Sequence, residues 1–249
     1  MESLITGANG MLGSCLKKRI KDSQVLAGRS YLDLTDLKKT KEWLDKKHFS
    51  TIIHTAAFTD LSFCEQNKDK AFCLHSSVVE ILKEHCDKFI YISTVPIWSD
   101  ESYQKNVYFE SKREGENRVL NDSSGVVIRT NIYGNGGLVK WATDKLSAGE
   151  KINGFSDVYF NPVHTAQLSD FIVKLMQQET HQPLYTLAGD QTLSKCDFLK
   201  KVSQILNFNS SLIEPIIANK HSVVLKNADV TFSLEQGMEI LKNDYGHER

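Results

Sequence analysis

Leu4-Ile5-Thr6 runs directly into Gly7-Ala8-Asn9-Gly10-Met11-Leu12-Gly13, and the next residues, 14–20, have helical patterning. A strand, a glycine turn and a helix in that order form a phosphate cradle. A pyrophosphate needs free backbone N–H groups at a helix N-terminus, and a chain without Cβ atoms where it passes the phosphate. Gly7 and Gly10 meet the second demand, and Gly13 lets helix and strand pack closely. With Asn9, Met11 and Leu12 completing the turn, the stretch predicts dinucleotide binding.

Working outward, short β-branched runs alternate with amphipathic stretches. The runs are Leu4-Ile5-Thr6, Val25-Leu26-Ala27, Thr51-Ile52-Ile53-His54, Phe89-Ile90-Tyr91-Ile92-Ser93 and Val126-Val127-Ile128, and the stretches lie near 11–21, 36–47, 67–86 and 107–121. Strands apolar on both faces and separated by helices imply βαβ units, hence an α/β fold with a doubly wound parallel sheet. After Arg129 the rhythm loosens. Helices near 138–149, 165–178 and 194–206, with strands around 157–160 and 184–187, predict a smaller mixed α/β domain. The expected division is 1–130 for the dinucleotide domain, with 155–187 returning to it, and 131–154 plus 188–249 for the substrate domain.

Composition narrows the function classes. Lys and Arg number 30 against 31 Asp and Glu, so the net charge of −1 leaves no broad basic face for nucleic acid. No run approaches the roughly 18 apolar residues of a membrane span, and the first residues lack a signal-peptide core, so the expectation is a soluble cytoplasmic protein without a membrane partner. Five cysteines without a C-x-x-C pair argue for reduced thiols and against a disulfide framework. Cys64, Cys73, His75, His85 and Cys86 match no structural-zinc spacing, and no metal is expected.

The second strand ends in Ala27-Gly28-Arg29-Ser30, where an NAD-preferring site would carry an acid. A guanidinium there can pair with a 2′-phosphate, so NADP(H) is favoured, the alternative being Arg29 pointing to water. Asp33, with Leu34 beside it, is expected near the adenine or at the start of a helix. Tyr108-Phe109-Glu110-Ser111-Lys112 places a phenol and an ammonium on one helix face. The preceding strand ends in Ser93-Thr94, so a hydroxyl and the phenol should converge at the carboxyl edge of the sheet. There Tyr108 would protonate a developing alkoxide, with Thr94 donating a second hydrogen bond. Lys112 would draw the phenol pKa down from about 10 and hold the nicotinamide ribose. Trp98 and Trp141 could stack on a base or sugar.

These residues resemble the extended short-chain dehydrogenase/reductase superfamily, and within it the dTDP-4-dehydrorhamnose reductase-like sugar-nucleotide branch. The resemblance rests on residues 5–13, Leu32-Asp33-Leu34-Thr35-Asp36, Ile53-His54-Thr55-Ala56-Ala57-Phe58-Thr59-Asp60, Cys64-Glu65, Tyr91-Ile92-Ser93-Thr94, Tyr108 with Ser111-Lys112 and Gly115-Glu116, and Arg129-Thr130-Asn131-Ile132-Tyr133-Gly134. It implies a Rossmann sheet and an NADPH-dependent reduction of a 4-keto group on a nucleoside-diphosphate 6-deoxysugar. Thr94, Tyr108 and Lys112 would be catalytic. Ala56, Ala57, Thr59 and Ser93 would line the cofactor, and Thr94, Trp98, Tyr108 and Asn131 would meet the sugar nucleotide. The stretch Val95-Pro96-Ile97-Trp98 departs from the branch, as does His75, where the family carries Asn. A sugar-nucleotide epimerase, or an NADP-binding regulatory subunit resembling the methionine adenosyltransferase β subunit, is the alternative. A homodimer is compatible with either.

Overall fold

A computed structural model describes residues 2–21, 23–26, 30–95, 105–121, 125–179, 181–219, 224, 225 and 227–246, with only the backbone of 24–26. It divides into two units, Met1–Arg129 with Ser169–Thr186, and Thr130–Leu168 with Leu187–Arg249. Arg29 and Trp98 lie outside the described residues.

The first unit follows the expected alternation. In chain order its elements are β1 Ser3–Thr6, α1 Met11–Arg19, β2 Ser23–Leu26, α2 Leu37–Leu44, β3 Phe49–His54, α3 Leu61–Gln66, α4 Lys68–Phe72, a π-helical turn at Cys73–Ser77, α5 Val78–Lys83, β4 Cys86–Thr94, α6 Val107–Leu120 and β5 Gly125–Thr130. The strands, with the first half of β10 (Leu184–Gly189), form a six-stranded parallel sheet in the order β10-β5-β4-β3-β1-β2. Leu4, Ile5, Ile52, Ile53, Phe89, Ile90, Val126, Val127 and Ile128 are all fully buried, as strands covered on both faces require. The order reverses between β1 and β3, so the crevice at their carboxyl ends is the topological switch point where such sheets bind ligands.

The second unit contains β6 Ile132–Tyr133, α7 Gly137–Ser147, β7 Ile152–Phe155, β8 Tyr159–Phe160, β9 Val163–His164 and the first turn of α8 Thr165–Met176. The end of β10, β11 Leu193–Ser194, α9 Lys195–Ile205, β12 Ile213–Ile216, β13 Val230–Phe232 and α10 Leu234–Gly246 complete it. Its core joins Tyr133, Phe160, Phe198, Leu234 and Met238, and a satellite cluster joins Ala142, Ile152, Leu199 and Ile213. Residues 155–168 belong here and do not return to the first unit as expected; the return begins at Ser169. The reason is local pairing, since β8 pairs with β11 and β9 with β6, all inside the second unit. No described helix is long and apolar enough to cross a membrane.

Candidate active site

Gly7 takes φ +67°, a left-handed conformation that favours glycine, and a Cβ there would lie 2.6 Å from the Ala56 backbone nitrogen. Gly10 donates its N–H to the Gly7 carbonyl at 2.9 Å and caps α1 with no side-chain bond; the first turn of α1 carries no acid. The free N–H groups and the positive end of the helix dipole therefore face the turn uncompensated, as an anion site requires. A Cβ on Gly13 would sit 2.3 Å from the Gly7 carbonyl oxygen, so this glycine sets how closely α1 docks.

A cleft of about 230 Å³ opens beside this turn. Gly7, Gly10, Asp33, Leu34, Ala56 and Ala57 line it, all six expected there from sequence, together with Leu32, Thr35, Thr55, Phe58 and Leu74, to which the sequence assigned no role in the site. Asp33 accepts hydrogen bonds from the backbone N–H and hydroxyl of Thr35 at 3.0 and 2.7 Å, holding the wall after β2, while Asp36 caps α2. Thr59 is exposed and Leu12 is buried in the core, so neither side chain lines the cleft; for Leu12 only the backbone faces the turn. Asn9 is exposed and Met11 half-buried in the turn.

The catalytic candidates gather at the end of β4. Asn106 caps α6 by accepting from the Tyr108 N–H at 2.9 Å, and Glu65 accepts from the Val107 N–H at 2.8 Å, fixing the helix start. Tyr108 and Thr94 hydrogen-bond through their side chains. Ser93, 5% exposed, has a hydroxyl with no partner among the described residues. That orphaned hydroxyl and the Cβ-free cradle are what a bound dinucleotide would use, so the residues present fit the cofactor.

The expectation that Lys112 depresses the Tyr108 pKa is corrected. Burial, with Cys64 nearby, pushes the phenol up to about 12 even though Thr94 opposes the shift. Lys112 points elsewhere: its Nζ donates to the Ile92 carbonyl at 2.5 Å and lies 3.9 Å from the Tyr91 ring centroid. Burial draws its pKa down to about 7, against the pull of Glu116. Glu116, fully buried, is held by Arg129 through contacts of 2.6 to 3.1 Å.

Two neutral imidazoles support the site. The Phe58 N–H donates to His75 Nε2 at 2.9 Å, which leaves Nδ1–H to donate to Ser111 Oγ at 2.8 Å; Ser111 in turn donates to the Tyr108 carbonyl. His54 accepts from the Thr6 hydroxyl at 2.8 Å and donates to the Leu74 carbonyl at 3.0 Å. Burial, with Lys112 nearby, lowers its pKa to about 3. The unfolded chain then takes up a proton that the folded one refuses, so stability is full above about pH 6.5 and falls as pH drops toward 3. Between pH 7.5 and 5, His54 alone should cost about 2 kcal/mol. Denaturant midpoints at the two pH values, compared with His54→Gln, check this: the variant should start less stable but lose less on acidification.

Asn131 lies in the second unit, where its carbonyl accepts from the Val163 N–H at 2.8 Å. Among the described residues no group of three or more His, Cys, Asp or Glu is placed to hold a metal, and all five cysteines are free.

A glycine cradle at the switch point, with Thr, Tyr and Lys on the following strand and helix, defines an extended short-chain dehydrogenase/reductase. The chain belongs to the RmlD substrate binding domain family, which matches residues 1–229. It is 24% identical to a Haloferax volcanii protein described as "probable low-salt glycan biosynthesis reductase Agl14", over 86% of this chain and 83% of that one. It is 25% identical to the dTDP-4-dehydrorhamnose reductase of Aggregatibacter actinomycetemcomitans, over 92% and 84%. The crystal structure of dTDP-4-dehydrorhamnose reductase from Bacillus anthracis in complex with NADP superposes with a TM-score of 0.85 at 22% identity, covering 98% of each chain.

Proposed function

We propose that this chain is an NADPH-dependent reductase of a 4-keto-6-deoxy nucleoside-diphosphate sugar. Family membership supports the reaction class, and the supporting observation within the site is the hydroxyl of the half-buried Tyr108, hydrogen-bonded to Thr94 and protonated throughout the neutral range. A reductase must deliver a proton to the oxygen of a forming alcohol, so a protonated resting phenol is the competent form; an oxidation would need the phenolate. NADPH, when bound, supplies the hydride. The turn from Gly7 to Gly13 would hold its pyrophosphate, and the walls after β2 and β3 would enclose the adenosine half. Arg29 would select the 2′-phosphate, and Lys112, which rests on the Ile92 carbonyl, would turn from it to hold the nicotinamide ribose.

At the carbonyl, Tyr108 gives its proton to the oxygen as charge develops, and Thr94 donates a hydrogen bond to the same atom. The Phe58–His75–Ser111 chain of hydrogen bonds fixes the turn of α6 that carries Tyr108 against the cofactor wall. Trp98 and Asn131 contact the sugar nucleotide. The reaction belongs in the cytoplasm, and the reading is compatible with a homodimer.

The test is NADPH oxidation by purified protein with dTDP-, UDP- and GDP-linked 4-keto-6-deoxy sugars. Absorbance loss with one of these, and slower loss with NADH, is expected. Tight NADP(H) binding without consumption on any of them would overturn the reading.

A further inference from the structure

Lys112 is 2% exposed, and its ammonium rests against two groups of β4, the Ile92 carbonyl at 2.5 Å and the face of the Tyr91 ring, 3.9 Å from the centroid. A ring face attracts a cation through its quadrupole, most strongly where water is shut out. Among the described residues no carboxylate comes within ion-pair distance of this nitrogen. Glu116, the acid that acts on it, is taken up by Arg129 at 2.6 Å. One carbonyl and one ring therefore carry what offset there is to a charge held away from water.

Tyr91 cannot follow the lysine if it leaves. The residue is fully buried, its hydroxyl donates to the His75 carbonyl in the π-helical turn at 2.6 Å, and His54, its register partner on β3, stacks beside it at 5.8 Å. A Cβ on Gly115 would lie 2.4 Å from the Tyr91 oxygen, so α6 packs directly on the phenol. The ring is fixed, and the lysine, on its flexible four-carbon stem, is the part that moves.

We propose that Tyr91 is a positioning residue that seats the Lys112 ammonium until the cofactor ribose takes it, so that cofactor binding draws the ammonium off the ring. The inference rests on the reading of Lys112 as the ribose-binding cation of the reductase. It makes binding proton-coupled. Burial draws the seated ammonium down to about 7, whereas an ammonium donating to the ribose, with the cofactor phosphates adding negative charge, keeps its proton to higher pH. Above about pH 7 binding then takes up a proton and weakens as the pH rises.

The other groups that face Lys112 hold one state from about pH 6.5 to about pH 9. Burial keeps the His54 and His75 imidazoles neutral, the first with a pKa of about 3 and the second well below its ordinary value. Burial likewise keeps the phenols of Tyr91 and Tyr108 protonated. Glu116 stays paired with Arg129.

NADP⁺ is titrated calorimetrically into the full chain across this range. Wild-type affinity should fall about tenfold per pH unit above about pH 7, with the proton uptake read from the dependence of the heat on the buffer. Lys112→Met should show neither, and it supplies the baseline for the 2′-phosphate, which itself titrates near pH 6. Tyr91→Leu removes the seat from the charged resting form alone. For a ring worth about one pH unit, this variant should bind NADP⁺ about threefold more tightly than wild type near pH 6.5 and equally near pH 9. Tyr91→Phe keeps the ring and should follow the wild-type profile. A tyrosine that serves packing alone would weaken binding at every pH when cut to leucine, and would leave the profile parallel to wild type. Melting curves separate lost binding from lost fold, and Tyr91→Met, which fills more of the space, serves if the Leu variant melts early. A flat wild-type profile overturns the proposal, as does a parallel one in Tyr91→Leu and Tyr91→Met.

The two readings fail separately. The expected profiles without reduction of any 4-keto sugar leave the seat standing and remove the reductase. Reduction of such a sugar with a flat NADP⁺ profile does the reverse.

Discussion

Tyr108→Phe should lower kcat by about 10²- to 10⁴-fold, the usual contribution of a positioned general acid. NADPH affinity should stay close to that of wild type. The phenyl ring keeps the edge contacts of Tyr108 with His75 and Phe109, so the substitution removes one oxygen and little packing. What disappears is the proton that the reaction transfers to the substrate oxygen, and the partner of Thr94. Thr94→Val should cost less, about 10- to 100-fold, because it removes a hydrogen bond and leaves the proton source in place. Stopped-flow measurement of hydride transfer at saturating NADPH distinguishes the two. A Tyr108→Phe enzyme with more than a tenth of wild-type kcat would remove the phenol from the mechanism.

Gly13→Ala should weaken cofactor binding for a different reason. The added carbon would lie 2.3 Å from the Gly7 carbonyl oxygen and 2.8 Å from Ala8 Cα, both backbone atoms that cannot swing aside. α1 must then retreat from the turn, taking its N–H groups away from the phosphates. NADPH affinity should fall by more than about tenfold, the scale of losing one or two charge-assisted hydrogen bonds. The melting temperature should fall by several degrees, as overpacking typically costs about 1–3 kcal/mol. Gly246→Ala, where a Cβ meets nothing within 4 Å, is the control and should change neither quantity. Calorimetric titration well below the melting temperature of both variants keeps the two effects apart.

The features read correctly from sequence are those whose chemistry is local. The glycine turn is a strand, three glycines and a helix within ten residues, and the six-stranded parallel sheet follows from runs buried on both faces. Family membership was legible on the same grounds. The direction taken by Lys112 was not. Its spacing from Tyr108 places both on one helix face, but its resting partners, the Ile92 carbonyl and the Tyr91 ring, come from a strand some twenty residues away in sequence.

The cleft walls at Leu32, Thr35, Thr55 and Phe58 were missed because they converge from two strand ends; counting onward from each parallel strand would have found them. The return of the chain was placed too early because β8 and β9 are two residues long and carry no periodic signal.

The buried pair of Glu116 and Arg129 has a consequence for how this sequence can drift. Removing either member alone strands the other inside the protein, at a cost of about 3–5 kcal/mol, whereas exchanging both for apolar groups of similar size is close to neutral. Single steps away from the pair pass through a poorly folded intermediate, so positions 116 and 129 should change in concert or stay fixed across descendants of this gene.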